Sequence, residues 1–110
     1  MAIGQAGAGV WTVGMKNEST GQAWVANAAY SGPAISAEWI VEAPTVAGAI
    51  VPLGNFSPIT FGPLCISPQP AQGSPTRLVM VQNGQTVATP SALSANGFTV
   101  ARGGATPAAP

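Results

Sequence analysis

Charged side chains are scarce in this sequence. The 110-residue chain has 5% Asp, Glu, Lys and Arg, against about 25% in an average soluble domain. Three bases and three acids cancel to zero formal net charge. No basic patch is present to bind nucleic acid, and no basic amphipathic helix is present to bind a membrane surface. The scarcity fits tolerance of low pH, because few carboxylates become protonated there, or a subunit or fragment with a large interface.

Histidine is absent and cysteine occurs once. A zinc site and a His-based catalytic triad are therefore excluded, and we expect no metal and no cofactor. Cys65 cannot form an internal disulfide, and its apolar neighbours predict a buried, inert thiol. No apolar run reaches the roughly 18 residues that span a bilayer. The first nine residues have neither a basic region nor a long apolar core, so they do not form a signal peptide.

Glycine and proline, by contrast, are abundant, with 14 and 11 residues spread along the chain. Short apolar runs between such turn residues, without helical periodicity, predict an all-β sandwich or barrel. Asn83-Gly84 between two β-rich runs predicts a tight hairpin, and Pro58 indicates an edge strand or a bulge. Residues 63–75 are predicted to form a connection. The predicted strands cover residues 10–16, 23–30, 35–43, 56–61, 76–82, 85–89 and 97–101.

The predicted strand 35–43 carries two of the three acids, Glu38 and Glu42. Alternation along a strand places both on one face with Ile40 between them, and places Trp39 and Val41 on the other face. At ~3.3 Å per residue the two carboxylates lie about 13 Å apart, too far to share a proton. Two glutamates on a strand can be an ordinary solvated face. Their position in a chain so poor in charge also fits a functional site.

Two further features can be explained with or without a functional role. Asn17-Glu18-Ser19 matches the N-glycosylation acceptor pattern, which also occurs by chance. The aromatic side chains at alternating strand positions fit either a core or a sugar-binding surface. They are Trp11, Trp24, Tyr30 and Trp39.

An ordered series of short motifs resembles one known family. The series contains Thr20-Gly21-Gln22-Ala23-Trp24, Tyr30-Ser31-Gly32-Pro33, Ala37-Glu38-Trp39-Ile40-Val41-Glu42-Ala43-Pro44, Pro52-Leu53-Gly54-Asn55-Phe56 and Ile59-Thr60-Phe61. Their order and spacing resemble the C-terminal half of the glutamic peptidases, the eqolisin family. The resemblance covers roughly residues 9–101, and the Ala-Glu-Trp-Ile-Val-Glu run is its most specific part.

The resemblance implies a jelly-roll-like, concanavalin-like antiparallel β-sandwich and a secreted endopeptidase that acts on polypeptides at acid pH. It implies that Glu42 is the catalytic general base, which activates a water to attack the scissile carbonyl. Glu38 and Trp39 correspond to cleft or supporting positions. The family's second catalytic residue is a Gln, whose amide holds the water and stabilises the oxyanion.

That Gln lies well upstream of the glutamate run in the family, and no match to it is found here. Gln22, Gln82 and Gln85 do not correspond to it. We therefore expect an incomplete peptidase domain whose open strand edges are covered by a complementing N-terminal half or by a second copy. The expected organisation is a flexible lead over residues 1–8, the partial domain over 9–101 and a disordered tail over 102–110. The alternatives are a non-catalytic module that binds carbohydrate or peptide, and an inactive relic.

Overall fold

The computed structural model describes residues 1–32, 36–66, 69–70 and 75–110. Within these ranges the chain forms antiparallel strands, and no described residue lies in a helix. The described residues therefore contain no helix long and apolar enough to cross a membrane. The predicted all-β antiparallel fold is confirmed, while the closure of a complete sandwich stays a prediction. The chain divides into two compact units, Met1–Ala37 and Glu38–Pro110.

The first unit is a three-stranded sheet in the order β1-β2-β3. Its strands are β1 (Ala2–Gly7), β2 (Val10–Lys16) and β3 (Ala23–Ala29). The predicted strand 10–16 and its hairpin with the next strand are confirmed. Strand β1 was not predicted from sequence, because Ala and Gly have low strand propensity and its pairing with β2 is a tertiary contact. The predicted bounds of lead, domain and tail stay predictions.

The second unit contains a four-stranded sheet in the order β6-β11-β10-β9 and two short hairpins. Its strands are β4 (Thr45–Val46), β5 (Ala49–Ile50), β6 (Ile59–Phe61), β7 (Cys65–Ile66), β8 (Gln69–Pro70), β9 (Met80–Gln82), β10 (Gln85–Pro90) and β11 (Phe98–Arg102). The predicted Asn-Gly hairpin is confirmed, since Asn83 and Gly84 both have positive φ, 51° and 74°. Strand β6 is an edge strand, as Pro58 indicated.

One face of this sheet carries the core of the second unit. Ala88 and Val100 on the sheet are buried together with Leu53, which comes from the connection after β5. Phe61 and Phe98 are cross-strand partners whose rings stack with centroids 5.0 Å apart. Val41, Ala43 and Phe56 pack against the same cluster. Burial of these apolar groups is the main source of stability for the unit.

The predicted strand 35–43 is wrong as a paired strand. Ile35 lies outside the described residues, and residues 36–44 have no ladder partner among the described residues. The predicted alternation of faces is nevertheless reflected in burial from Glu38 onward, because Trp39, Val41 and Ala43 are partly buried while Glu38 and Glu42 are exposed. Ala37, predicted on the Trp39 face, is exposed. Alternation requires only an extended backbone over an apolar surface. A strand also requires a neighbour that accepts and donates backbone hydrogen bonds.

The connection predicted for residues 63–75 contains a short hairpin of β7 and β8. Residues 67–68 and 71–74 of this connection lie outside the described residues. The predicted burial of the Cys65 thiol likewise concerns a side chain that is not described.

Ser91 extends the pairing of β10 and β11 with its side chain. Its Oγ accepts the Thr99 amide N–H at 3.0 Å and donates to the Ala92 carbonyl at 2.7 Å, and the residue is 1% exposed. We expect Ser91→Ala to lower the free energy of unfolding by about 1–3 kcal/mol, because it leaves a buried N–H without its acceptor. Urea denaturation measures the loss. Ser57→Ala, at an exposed position, should stay within about 0.5 kcal/mol, and an equal effect of both variants would contradict the assignment.

Candidate functional site

The candidate site is the extended segment 36–44, which carries both glutamates of the second unit. Val41 and Ala43 turn inward and pack against the cluster of Leu53, Ala88 and Val100. The residue between them, Glu42, consequently points to solvent and is exposed. The local sequence explains this placement, because small and β-branched apolar residues alternate with the acids.

Glu38 and Glu42 are both exposed, and neither forms an ion pair or a side-chain hydrogen bond with another described residue. Trp39 between them is half-buried. The structure thus places all three predicted site residues on one segment, with the two acids on its solvent side. Glu42 is thereby left accessible to a water or a substrate, which a general base requires.

A tight hairpin follows the glutamate segment. β4 and β5 pair through Thr45–Ile50 and Val46–Ala49, with positive φ at Ala47 (49°) and Gly48 (79°). The Val51 N–H donates to the Pro44 carbonyl at 3.1 Å and closes the base of this hairpin. The hairpin connects the glutamate segment directly to the next segment, residues 51–54. A shift of residues 51–54 would therefore also shift the backbone that carries Glu42.

Sequence reasoning missed the role of Gln82 and Arg102. The Gln82 amide donates to the Val51 carbonyl at 3.1 Å and accepts the Leu53 N–H at 2.9 Å. Arg102 Nη1 donates to the carbonyls of Leu53 and Gly54 at 2.7 and 2.8 Å. No local sequence pattern predicts these contacts, since about 30 to 50 residues separate the partners. The only hint was that Arg102 is one of just three basic residues.

The remaining glutamines considered from sequence have other surroundings. Gln22 closes the turn after β2, where its N–H donates to Thr20 Oγ1 at 3.3 Å. Gln85 is exposed beside the Asn-Gly turn. The amide of Gln82 is engaged on both sides by the backbone of residues 51 and 53. These two bonds hold the plane of the Gln82 amide against the backbone of residues 51 and 53.

A shallow cavity of about 280 Å³ lies elsewhere on the second unit. It is lined by Arg77, Val79, Thr89, Pro90 and Thr106. The hydroxyl of Thr89 is already committed to the Gly103 carbonyl at 2.6 Å, and none of the three predicted site residues lines the cavity. Among the residues that the structure describes, no group of His, Cys, Asp and Glu could hold a metal ion. The cavity adds no chemistry to the site.

The aromatic residues of the first unit are not a buried core. Trp11 and Tyr30 meet edge to face with ring centroids 6.5 Å apart. Trp24 pairs with Met15 across β2 and β3, and Trp24 and Tyr30 are each 54% exposed. Register places Trp11 and Trp24 on the same face of the sheet. This face presents accessible aromatic surface.

The described fold is all-β and antiparallel, and the candidate site presents two exposed carboxylates, Glu38 and Glu42. The family model described as the Peptidase A4 family matches residues 1–102. The chain therefore belongs to the Peptidase A4 family, the glutamic peptidases, as the motifs had indicated. No curated protein and no solved structure matches the chain. Membership supports a peptidase-type, hydrolytic function.

Proposed function

We propose that this chain takes part in acid-acting endopeptidase chemistry in which Glu42 is the general base. The observation that carries the proposal is the exposure of Glu42 on an extended segment whose flanking residues, Val41 and Ala43, are packed on the core. A carboxylate presented in this way can take a proton from a bound water. The water then attacks the scissile carbonyl of a polypeptide substrate.

An amide donor directed at the developing oxyanion would complete the chemistry, as the family pattern implies. Gln82 does not correspond to the family's Gln, and its amide is oriented toward the backbone of residues 51 and 53. We infer that the amide comes from a complementing N-terminal half of the peptidase domain. A second copy of the chain would cover open strand edges but would bring no match to the family's Gln. Glu38 and Trp39, on the same segment, would contact the substrate backbone or its side chains.

The test is an assay of peptide-bond hydrolysis at acid pH with a denatured polypeptide as substrate. The chain is assayed alone and after mixing with a Gln-bearing N-terminal half of a family member. Cleavage that requires the mixture and requires Glu42 supports both parts of the proposal. Glu42-dependent cleavage by the chain alone at full rate would overturn complementation and leave the role of Glu42 standing.

Secretion is part of the same proposal and rests on the family alone. An acid-acting peptidase is expected to meet its substrates outside the cytoplasm. Asn17, in the exposed turn after β2, would then be open to glycosylation. Expression in a eukaryotic secretory host with mass analysis of the turn peptide tests this part, and an unmodified Asn17 would remove its support.

A second candidate function is favoured by the exposed aromatic face of the first unit. Trp24 and Tyr30 offer flat apolar surface of the kind that binds sugar rings or peptide side chains. A binding module would quench or shift tryptophan fluorescence on titration with an oligosaccharide or peptide. Trp24→Ala should abolish that change, whereas Glu42→Gln should leave it intact. This fluorescence result, together with no detectable peptide-bond hydrolysis, would favour binding over catalysis.

A further inference from the structure

Residues 51–54, here called the crossing segment, run over the core face of the four-stranded sheet. Gln82 ends β9, at one edge of that sheet, and Arg102 ends β11, two strands away. The register places Met80, Ala88 and Arg102 in one row, and Gln82 shares the face of Met80. Both polar side chains therefore rise from the core face at the rim of the packed cluster. They bond the crossing segment at two points.

The Gln82 amide binds the crossing segment as a neighbouring strand would. It donates to the carbonyl of Val51 and accepts from the N–H of Leu53, which is the pattern that one residue makes in a parallel ladder. In that pattern the residue between, Pro52, turns its own backbone groups away, so its missing N–H is not required. If the amide were flipped, its NH2 group would face the Leu53 N–H and its oxygen would face the Val51 carbonyl. The partners therefore fix the orientation of the Gln82 amide.

Arg102 holds the other end of the crossing segment. Its Nη1 carries two N–H donors, which reach the carbonyls of Leu53 and Gly54 at 2.7 and 2.8 Å. Hydrogen bonds from a charged donor are roughly twice as strong as neutral ones. Leu53, between the two anchors, is 7% exposed and forms the core cluster. Four backbone polar groups of the crossing segment are thus satisfied by two side chains.

The crossing segment is connected to Glu42 in two ways. The Val51 N–H donates to the carbonyl of Pro44, two residues beyond Glu42. Leu53 packs in the cluster on which Val41 and Ala43 rest. Displacement of the crossing segment therefore moves both the hydrogen-bonded end and the apolar support of the glutamate segment.

We propose that Gln82 and Arg102 are positioning residues for Glu42, and this proposal rests on the proposed function. Glu42 itself has no polar partner among the described residues, so its carboxylate is held by the backbone that carries it. That backbone is located by the crossing segment. Loss of the Gln82 amide leaves the Glu42 carboxylate chemically intact and changes where it is presented.

The first arm of the test is amide hydrogen exchange in the isotope-labelled full chain. Gln82→Ala is expected to reduce the protection of the Leu53 and Val51 N–H groups by at least about tenfold. Protection of the Ser91 N–H, which donates to Thr99 at 2.8 Å within the sheet, should persist and report an intact fold. The matched control is Gln85→Ala, which removes an exposed Gln at the other side of the same turn and should leave all three groups protected.

A conservative variant makes the anchoring of the crossing segment dependent on pH, so the same pH dependence can then be sought in kcat. A protonated Glu at position 82 has one donor and one acceptor, as the amide has. With an ordinary Glu pKa of about 4.3, Gln82→Glu keeps both bonds below that pH. It loses the donor to the Val51 carbonyl as the pH rises above it. Protection of the Val51 N–H in Gln82→Glu, relative to the unsubstituted chain, should be high at low pH and fall with rising pH. Protection of the Leu53 N–H should fall less, because the carboxylate still accepts that N–H.

The second arm is kinetic and uses the preparation that cleaves polypeptide, either the chain alone or the complemented one. Gln82→Ala should lower kcat by about ten- to a hundredfold, the cost of misplacing a catalytic group by about 1 Å, with KM changed less than about twofold. Gln82→Glu should match the unsubstituted chain at low pH and lose kcat as the pH rises. Arg102→Met should lower kcat in the same way, and Arg102→Lys should lower it less.

The outcomes separate the positioning proposal from the proposed function. If cleavage depends on Glu42 while Gln82→Ala and Arg102→Met leave kcat unchanged, positioning is overturned and the function stands. If no preparation gives Glu42-dependent cleavage, the proposed function fails. Positioning is then judged by the Glu42 side-chain carboxyl resonance, which must shift in Gln82→Ala and recover in Gln82→Glu at low pH. An unshifted resonance overturns it.

Discussion

Replacing Glu42 by Gln is expected to lower the rate of peptide-bond cleavage at acid pH by about 10²–10⁴-fold, the usual contribution of a general base. The amide has nearly the same shape as the carboxylate but cannot take the proton of the attacking water. The water must then attack without assistance. Steady-state cleavage of a denatured polypeptide, in the preparation in which the unsubstituted chain is active, measures the loss.

The same segment supplies the control. Glu38→Gln makes the same chemical change four residues earlier, at a position that is also exposed. We expect it to alter kcat/KM by less than about tenfold, since Glu38 is assigned to substrate contact and not to proton transfer. Equal losses in the two variants would indicate a general effect of negative charge, and the assignment of the base to Glu42 would be abandoned.

A measurement of folding stability shows whether Glu42→Gln loses cleavage activity through altered chemistry or through unfolding. Glu42 and Glu38 have no ion pair among the described residues, and surface substitutions of this kind change the free energy of unfolding by at most about 0.5 kcal/mol. Urea denaturation should therefore place Glu42→Gln and the unsubstituted chain at the same midpoint. A large fall in the midpoint would mean that lost cleavage reports lost fold.

The local parts of the fold could be predicted from sequence. The strand at 10–16, its hairpin and the Asn83-Gly84 turn follow from alternation and turn chemistry, which act over a few residues. The alternating burial of the glutamate segment was also predictable. Its lack of a ladder partner was not, because pairing depends on which strand the tertiary structure places alongside it.

The candidate site likewise contains residues that could be predicted from the sequence and residues that could not. Glu38, Trp39 and Glu42 could be selected because acids are scarce and the run resembles a family motif. The support given by Gln82 and Arg102 could not, since each reaches a backbone group tens of residues away in the chain. A side chain that binds only backbone groups does not restrict which residue type its partner is, so the contact cannot be recognised in the sequence. Such contacts become visible only in the structure.

Gly97→Ala is expected to be the most destabilising single substitution considered for this chain. Gly97 has φ of 106°, a conformation that L-residues rarely adopt. A Cβ built there would overlap the carbonyl oxygen of Phe61 and approach the Cα of Gly62. These are backbone atoms at the end of β6, and they cannot rotate away as a flexible side chain would.

Relief of that overlap would separate β6 from β11. Phe61 and Phe98 are register partners next to Gly97, and their rings stack on the core face. Backbone strain costs about 1–3 kcal/mol, and overpacking adds about 1–3 kcal/mol. The sum is a large part of the roughly 5–15 kcal/mol that stabilises a typical domain. We expect the melting temperature to fall by at least about 10 °C.

Thermal unfolding of Gly97→Ala beside Gly104→Ala measures this effect. A Cβ at Gly104 would meet only the Cβ of Thr86, at an ordinary contact distance of 3.8 Å, so its melting temperature should stay within a few degrees of the unsubstituted chain (~3 °C). Because Val41 and Ala43 rest on the same core face, cleavage by Gly97→Ala should decline in step with its folded fraction. A Gly97→Ala chain as stable as Gly104→Ala would show that β6 and β11 do not approach each other as closely as described.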